Sequence, residues 1–374
     1  MSVPPIRVGI IGAAPDRGWA ASAHIPALKA LPQFALTAVC TTRQESADAT
    51  ARKFGIPVAL ADPHALVRHP DVDLVIVTTK VGAHRALVGA ALDAGKHLFC
   101  EWPLALDAAE AEAMLAAARH AGVRHMVGLQ DRVHPVLKQV RAMVAGGEIG
   151  RLLSVSLISS LASWGPRLPA AEAYRADRAN GATGLTVPGG HSLDAVQFCF
   201  GAIAQVSAIV TTQHPETEII GTAQTVKVTS PDQVLLSARL AGGAVLSAHI
   251  KADMAVPMGV RLEVNGSEGD LLLVARTPSG QDPVGIQRAE LVLSRARRGT
   301  RDYVAVPAPA NDGVAPGIAP GPAFYTARLL ARLAEAIRTG GPSSPDFADG
   351  LAGHRLLEAV QRASDSGRMQ EIEA

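Results

Sequence analysis

The chain has 374 residues, of which 48% are hydrophobic and 18% are charged. This length favours two domains, and the composition excludes an intrinsically disordered protein. Lysine and arginine (35) balance aspartate and glutamate (34), so a formal net charge of +1 gives no support for direct binding to nucleic acid or to an anionic membrane. The dense basic cluster at 295–301 is interpreted as a solvated loop or strand edge.

The three cysteines, Cys40, Cys100 and Cys199, lie in apolar runs without metal-ligand spacing. They indicate small core residues in a reducing compartment, and no metal site is expected. The N-terminus leads directly into a strand pattern, and no uncharged apolar run reaches membrane-spanning length. We therefore expect a cytoplasmic protein without a signal peptide or a transmembrane helix.

The first predicted strand, 6–11, is followed by a loop of small and turn-forming residues and by a predicted helix over 20–31. Such a junction can bind a pyrophosphate through backbone N–H groups and the helix dipole. The fingerprint G-x-G-x-x-G is incomplete, and an ordinary strand–loop–helix corner has a similar pattern. The loop residues that would contact a dinucleotide are Gly12, Ala13, Ala14, Arg17, Gly18 and Trp19.

The second predicted strand, 34–40, ends in Thr41, Thr42 and Arg43. In a dinucleotide fold this point faces the adenosine ribose, where a carboxylate would bind the 2′-hydroxyl of NAD. Hydroxyl groups and an arginine suit a 2′-phosphate instead. The pattern therefore favours NADP, with NAD as the alternative cofactor, unless these residues form only a solvent-facing turn.

Further strands alternate with helical segments as far as residue 129. This βαβ pattern predicts an α/β Rossmann domain with a doubly wound parallel sheet over 1–129. Ligands of such sheets bind at the carboxyl ends of the strands. The candidate cofactor contacts at the fourth and fifth strands are therefore Thr78, Thr79, His84, Glu101 and Trp102. Lys80, at the same rim, is a candidate catalytic residue, and the alternative is a surface lysine without a specific contact. The alternative for His84 is a residue that only caps and packs its own helix.

The pattern changes after residue 129. Residues 130–374 predict an α+β domain with a large, mostly antiparallel open sheet for substrate binding and oligomerisation. Its predicted strands are 151–160, 208–212, 222–228, 233–240, 244–252 and 260–265, and its predicted helices are 135–146, 189–200, 324–338 and 350–364. The C-terminal helices are expected to pack back on the first domain. An open sheet face favours a homodimer or homotetramer.

Several segments together resemble the Gfo/Idh/MocA oxidoreductase family, in an order that covers nearly the whole chain. The matching segments are Gly9–Gly12, His24–Leu28, Pro70–Asp73, Glu101, Pro103, Gly128, Arg132, His191, Asp194 and 345–350. The resemblance implies a Rossmann domain and a second domain whose open sheet covers the nicotinamide. It also implies NAD(P)-linked oxidation or reduction of sugars, polyols and related compounds.

Two family motifs are altered in this chain. Typical members use a Glu-Lys-Pro lysine and a later Asp-x-x-x-His acid/base, but here Trp102 replaces the lysine and Val187 the aspartate. Trp102 could stack on the nicotinamide, stack on a sugar or fill space. Glu-Trp-Pro and the loops at 14–20 and 185–191 resemble the Gal80-like branch, whose fungal member is a dinucleotide-binding transcriptional regulator.

His191 is the candidate acid/base, because an imidazole near its ordinary pKa can take a proton from a substrate hydroxyl. Asp194 would lie on the same helix face at i+3 and assist it. Tyr174, in an irregular stretch, could orient a polyhydroxylated substrate. The alternative for His191 is a residue that only caps or packs its helix.

The favoured function is an NADP(H)-dependent oxidoreductase acting on a carbonyl–alcohol pair of a sugar-like molecule. The alternative is a non-catalytic, Gal80-like dinucleotide-binding regulator that acts through a protein partner. Glycoside cleavage through redox cycling of a retained nucleotide is a third hypothesis. We favour the enzyme because loss of one lysine does not prevent hydride transfer when an imidazole is available.

Overall fold

The computed structural model describes residues 3–276, 284–310 and 313–372. The chain divides into two compact units. Unit 1 comprises Met1–Gln130 and Asn311–Leu351, and unit 2 comprises Asp131–Ala310 and Ala352–Ala374. Within the described ranges, no helix combines the length and the apolar character needed to cross a membrane.

Unit 1 is built on a six-stranded parallel sheet. Its strands are β1 (Ile6–Ile11), β2 (Phe34–Cys40), β3 (Val58–Leu60), β4 (Leu74–Val77), β5 (His97–Cys100) and β6 (His125–Val127). Their order is β3-β2-β1-β4-β5-β6. Successive strands are added on one side of β1 as far as β3 and on its other side from β4 onward, so the strand order reverses between β1 and β4. The last residues of neighbouring strands are in register, as in the pairs Ile11–Cys40 and Val77–Cys100. The carboxyl ends therefore form one straight edge.

Unit 2 contains a nine-stranded sheet and a small three-stranded sheet. The strands that follow β6 are β7 (Leu152–Ser160), β8 (Arg167–Pro169), β9 (Ile203–Thr211), β10 (Glu216–Ile220), β11 (Thr225–Lys227), β12 (Gln233–Leu240), β13 (Val245–Lys251), β14 (Gly259–Gly266), β15 (Gly269–Arg276), β16 (Glu290–Arg297), β17 (Val304–Val306) and β18 (Gln370–Glu371). The large sheet has the order β17-β16-β15-β14-β7-β13-β12-β9-β18, and the small one β11-β10-β8. Only β7 and β13 run parallel within the large sheet as described.

The helices complete both units. They are α1 (Ile25–Ala30), α2 (Gln44–Phe54), α3 (Pro63–Val67), α4 (His84–Asp93), α5 (Ala108–Ala121), α6 (Pro135–Ala145), α7 (Gly190–Phe200), α8 (Pro322–Thr339) and α9 (Phe347–Ser366). Helix α5 begins where the Asp107 side chain accepts a hydrogen bond from the Glu110 N–H, and it ends at Gly122 in a left-handed conformation. Helix α8 belongs to unit 1, where it packs against α1.

The two sheets bury their side chains differently. All four residues of β4 are buried, as expected for a parallel strand covered on both faces. Strand β12 alternates buried and exposed residues, so one face of the large sheet packs on a core and the other is open. The open face carries three apolar side chains, Ile209 (61% exposed), Leu235 (46%) and Val245 (50%). The predicted fold class, a parallel Rossmann sheet plus a mostly antiparallel sheet, is confirmed.

Some element predictions need correction. The predicted strand over 222–228 is confirmed only for β11, because its first residues form the turn between β10 and β11, and both strands belong to the separate small sheet. Strands β16 and β17 were not predicted, and the basic cluster at 295–301 forms the exposed end of β16 and the turn after it. The predicted helix over 20–31 begins with a π-helix, Ala20–His24, before α1.

Candidate functional site

The loop after β1 is shaped by Gly12. Its φ of +103° is unfavourable for other residues, and a Cβ there would lie 2.9 Å from the Thr78 carbonyl carbon and oxygen. The Thr50 hydroxyl of α2 holds the next residue by donating to the Ala13 carbonyl at 2.8 Å. Glycine therefore allows the β1 loop to pass the end of β4 closely.

The remaining loop residues follow directly. Ala14 and Trp19 are half-buried, and Arg17 and Gly18 are exposed. The π-helix that starts at Ala20 comes next and ends at the fully buried His24. The predicted phosphate-contacting segment is thus a surface loop anchored at both ends by buried residues.

The residues after β2 leave an arginine available to a ligand. The Thr41 hydroxyl donates to the Arg43 carbonyl at 2.8 Å, which fixes the turn. Thr42 and Arg43 are exposed at the carboxyl end of the strand, immediately before α2. No carboxylate occurs among these three residues.

The residues after β4 occupy the point where the sheet order reverses. The Thr78 hydroxyl donates to the Ile11 carbonyl at 3.1 Å, and the Thr79 Oγ1 is buried without a hydrogen-bond partner. Lys80 is exposed on the same loop. In α/β sheets this crevice is where ligands bind. A required glycine and an unsatisfied buried hydroxyl at this crevice fit a bound dinucleotide.

His84 holds this loop in place. Its Nε2 lies 3.1 Å from the Thr79 carbonyl oxygen and its Nδ1 lies 3.3 Å from that of Leu104. Burial lowers the pKa of His84, so the ring is neutral near pH 7 and donates to one carbonyl at a time. Both nitrogens are therefore directed at backbone atoms.

Glu101, at the carboxyl end of β5, is the centre of a buried polar network. Its Oε1 lies 2.5 Å from His24 Nε2, and its Oε2 accepts a hydrogen bond from Gln130 Nε2 at 3.2 Å. A Cβ on Gly128 would collide with Oε2, so the carboxylate occupies the space that this glycine leaves. Trp102 follows and is itself buried, with a cis peptide bond to Pro103. His24 belongs to a family-matching segment, but its contact with Glu101 was not predicted, and Gln130 was not among the predicted site residues.

Unit 2 contains a buried imidazole–carboxylate pair. His191 is the second residue of α7, and its Nδ1 lies 3.0 Å from Asp131 Oδ2. Asp131 is fully buried, and its Oδ1 has no hydrogen-bond partner. His191 Nε2 makes no hydrogen bond to any described residue. A carboxylate on Nδ1 selects the tautomer in which Nε2 carries the lone pair.

Asp194, the predicted helper of His191, is bound elsewhere. Arg132 grips its carboxylate, with Nη2 at 2.7 Å from Oδ1 and Nε at 3.0 Å from Oδ2. Burial raises the pKa of the Asp194 carboxyl, and the Arg132 charge opposes that effect. The carboxylate that contacts His191 is therefore Asp131, which was missed. Its signal was an acidic residue shortly after the sixth strand, next to a family-matching arginine.

The last predicted catalytic candidate is Tyr174. It lies half-buried in a 3₁₀-helix, Ala170–Ala176, and its carbonyl accepts a hydrogen bond from Asn180 at 2.8 Å. Within the described residues, neither His191 nor Asp131 hydrogen-bonds to Tyr174. In the part of the chain that the structure describes, no group of three or more histidine, cysteine or acidic residues could hold a metal ion.

Comparison with known proteins identifies both halves of the chain. Residues 6–129 match the oxidoreductase family with an NAD-binding Rossmann fold, and residues 135–275 match the C-terminal domain of Gal80p. The chain belongs to the Gfo/Idh/MocA oxidoreductase family, in its Gal80-like branch. The crystal structure of an oxidoreductase domain protein from Kribbella flavida is 30% identical, with a TM-score of 0.84 over 99% of this chain and 100% of that one.

Two curated relatives of this family member have different functions. Levoglucosan dehydrogenase from Pseudarthrobacter phenanthrenivorans is 28% identical over 95% of each chain. The galactose/lactose regulatory protein GAL80 from Saccharomyces cerevisiae is 28% identical over 72% of this chain and 66% of that protein. A structure of levoglucosan dehydrogenase with NADH and levoglucosan has a TM-score of 0.85 over 99% of this chain and 100% of that one, at 24% identity, which shows the shared fold alone.

Proposed function

We propose that the protein is an NAD(P)-dependent oxidoreductase acting on a carbonyl–alcohol pair of a sugar-like, polyhydroxylated molecule. The observation that carries this proposal is the buried Asp131–His191 pair. Asp131 accepts a hydrogen bond from the Nδ1–H of His191, and Nε2 can take the substrate hydroxyl proton as the alcohol is oxidised. The nicotinamide, when bound, supplies the hydride acceptor.

The pair replaces the missing family aspartate. Val187, where that carboxylate is expected, lies in a π-helix, Leu185–Gly189, just before α7. Asp131 comes from a different segment, a 3₁₀-helix over Gln130–Val133, and presents its carboxylate to the same imidazole. The function of the motif is thus retained with a different residue.

The proton is assigned to His191 because Trp102 cannot exchange one. An indole donates a single N–H and does not titrate near neutral pH. We propose that Lys80 and Tyr174 orient substrate groups rather than transfer the proton, because His191 is the candidate that a buried carboxylate holds. The Rossmann residues Gly12, Thr78 and Thr79 would hold the dinucleotide at the crevice between β1 and β4.

The test is a screen of the purified protein with NADP and NAD. The substrates are sugars, polyols, glycosides and hydroxy acids, with levoglucosan included, and the measured signal is reduced nicotinamide. His191→Ala is expected to lower kcat by about 10²-fold or more on any substrate found. The matched control is His120→Ala, an exposed histidine near the end of α5, which should retain kcat. Wild-type kcat in His191→Ala would contradict the assignment.

The cofactor is proposed to be NADP. Arg43 is exposed at the end of β2 and can pair with a 2′-phosphate, while no carboxylate is present there to bind a 2′-hydroxyl. Arg43→Ala should weaken NADP by about tenfold and leave NAD within about twofold. The control is Arg52→Ala, which removes an exposed arginine of α2. Equal weakening of both dinucleotides by Arg43→Ala would contradict NADP preference.

The second candidate is a dinucleotide-binding regulator without turnover. It is supported by Trp102 at the lysine position and by the match of residues 135–275 to the Gal80p C-terminal domain. This candidate predicts dinucleotide-dependent binding to a protein partner and no turnover across the screen. Turnover of one substrate would exclude it as the sole function.

We also propose a homodimer or homotetramer that forms through the open sheet face of unit 2. Three exposed apolar side chains on that face support it, Ile209, Leu235 and Val245. Light scattering after size exclusion tests the mass. Leu235→Lys with Val245→Lys should give a monomer, and an unchanged mass in that variant would place the interface elsewhere.

A further inference from the structure

Glu101 is a carboxylate at the carboxyl end of β5, and its side chain is 12% exposed. One histidine and one amide contact this carboxylate: His24 at Oε1 and Gln130 at Oε2. No described lysine or arginine forms an ion pair with it. This arrangement raises the question of whether His24 neutralises the carboxylate or leaves its charge in place.

The surroundings of His24 answer this question. Its Nε2 faces Glu101, whereas its Nδ1 is buried and has no hydrogen-bond partner. A doubly protonated imidazole would bury an Nδ1–H without an acceptor, which is unfavourable. The unpartnered Nδ1 favours the His24 tautomer that donates Nε2–H to Glu101, and Gln130 is a neutral amide. Both neighbours donate hydrogen bonds to Glu101 without cancelling its charge.

The residue after Glu101 removes a further source of compensation. Trp102 is uncharged and stands where the common family motif has a lysine. The Trp102 side chain is buried just after the end of β5. This chain thus has the motif's anion without the cation that usually follows it.

The position of Glu101 relates it to one half of the dinucleotide. In a doubly wound sheet each half binds one mononucleotide. Residues 41–43, which are proposed to bind the 2′-phosphate, follow β2. The adenosine half of the dinucleotide therefore belongs to the half-sheet β1–β3. The nicotinamide half is therefore β4–β6, which carries Glu101 at its rim. The inference below rests on the proposed dinucleotide binding.

We propose that Glu101 makes the protein discriminate between redox states, by favouring the oxidised dinucleotide over the reduced one. The oxidised nicotinamide ring carries a positive charge, and the reduced ring is neutral. A fixed carboxylate in a partly desolvated site favours a nearby cation. Gly128 and the two donors fix that carboxylate in one position.

Calorimetric titration without substrate tests this directly. The dissociation constants of oxidised and reduced NADP, or of NAD if it binds more tightly, are measured for wild type and for Glu101→Gln. The isosteric amide removes the charge, so the ratio of Kd for the oxidised form to Kd for the reduced form should rise about tenfold. Glu45→Gln, which removes an exposed carboxylate in the first turn of α2, should leave the ratio unchanged.

Gly128→Ala is the second variant, because its Cβ would displace the Glu101 carboxylate. This variant should also raise the ratio of Kd for the oxidised form to Kd for the reduced form. If Glu101→Gln fails to fold, Gly128→Ala alone tests the inference. An unchanged ratio in a folded variant of either kind would overturn the inference while leaving the proposed function intact. Wild-type protein that binds neither form would overturn the dinucleotide assignment itself, and this inference with it.

Discussion

Asp131→Asn is expected to leave the protein folded and to remove most of its turnover. Asp131 Oδ2 lies 3.0 Å from His191 Nδ1, and Oδ1 is buried without a partner. An asparagine fits the same space. It can meet His191 through either its oxygen or its NH₂ group, and only the oxygen preserves the tautomer with a free Nε2 lone pair.

We expect the asparagine to take the orientation that leaves no N–H buried without a partner. With its oxygen on Nδ1, its NH₂ group would occupy the Oδ1 position, which has no hydrogen-bond partner among the described residues, and an unpaired N–H there would cost about 1–3 kcal/mol. The flipped amide donates to Nδ1 and moves the ring proton to Nε2. The population of the productive tautomer, with its lone pair on Nε2, then falls by roughly 5- to 150-fold. Loss of the carboxylate that stabilises the imidazolium brings the expected decrease in kcat to about 10²–10³-fold.

Steady-state kinetics on the substrate found in the screen checks this prediction. We expect kcat to fall with little change in KM, because the pair acts on the proton and not on substrate binding. The control is Asp232→Asn, another buried carboxylate of unit 2, which accepts hydrogen bonds from the Gln213 and His214 N–H groups. If folded Asp131→Asn retained kcat within about threefold, the orientation of His191 by Asp131 would be refuted.

Three further predictions concern stability and reactivity. Gly12→Ala forces a positive φ and a collision with Thr78, so it should cost about 2 kcal/mol or more and abolish dinucleotide binding, as thermal unfolding and calorimetry would show; unchanged affinity would contradict it. Hydrogen bonds from Arg7 lower the pKa of Asp73, so that carboxylate stabilises the fold above its unfolded pKa and loses this effect as the pH falls through its folded pKa. The Tm gap between wild type and Asp73→Asn should therefore shrink in acid, and a gap that widens would refute this. Burial raises the thiol pKa of all three cysteines, Cys40, Cys100 and Cys199, that of Cys40 to about 11. At pH 7 a thiol reagent should therefore modify these cysteines at least about tenfold more slowly in native protein than in unfolded protein.

The parallel half was predictable because its strands are buried on both faces. Continuous apolar runs such as 74–77 have one structural interpretation, and the predicted bounds of β2 are those of the structure. The carboxyl-edge residues then follow from topology alone. The rim from Gly12 to Glu101 was therefore accessible from sequence.

The partners of buried polar groups were not predictable in the same way. Helical spacing places Asp194 near His191, but it does not show which segment approaches that face. Arg132 and Asp131 come from a turn about 60 residues earlier and exchange the expected pairing. Strand β16 was missed because arginines at alternate positions obscure its apolar face, and β10 was missed because a turn separates it from the predicted strand that contains β11.

Asp131 also separates the two candidate functions on physical grounds. A fully buried carboxylate with one oxygen unpaired lowers the stability of the fold, and a neutral residue of similar size would remove that cost. A regulator that only binds a dinucleotide gains nothing from it. Proton transfer does, because the carboxylate sets the His191 tautomer and stabilises its cation. The chain therefore lacks the lysine of its family at residue 102 but keeps an oriented imidazole, and this combination favours turnover driven by one acid/base group.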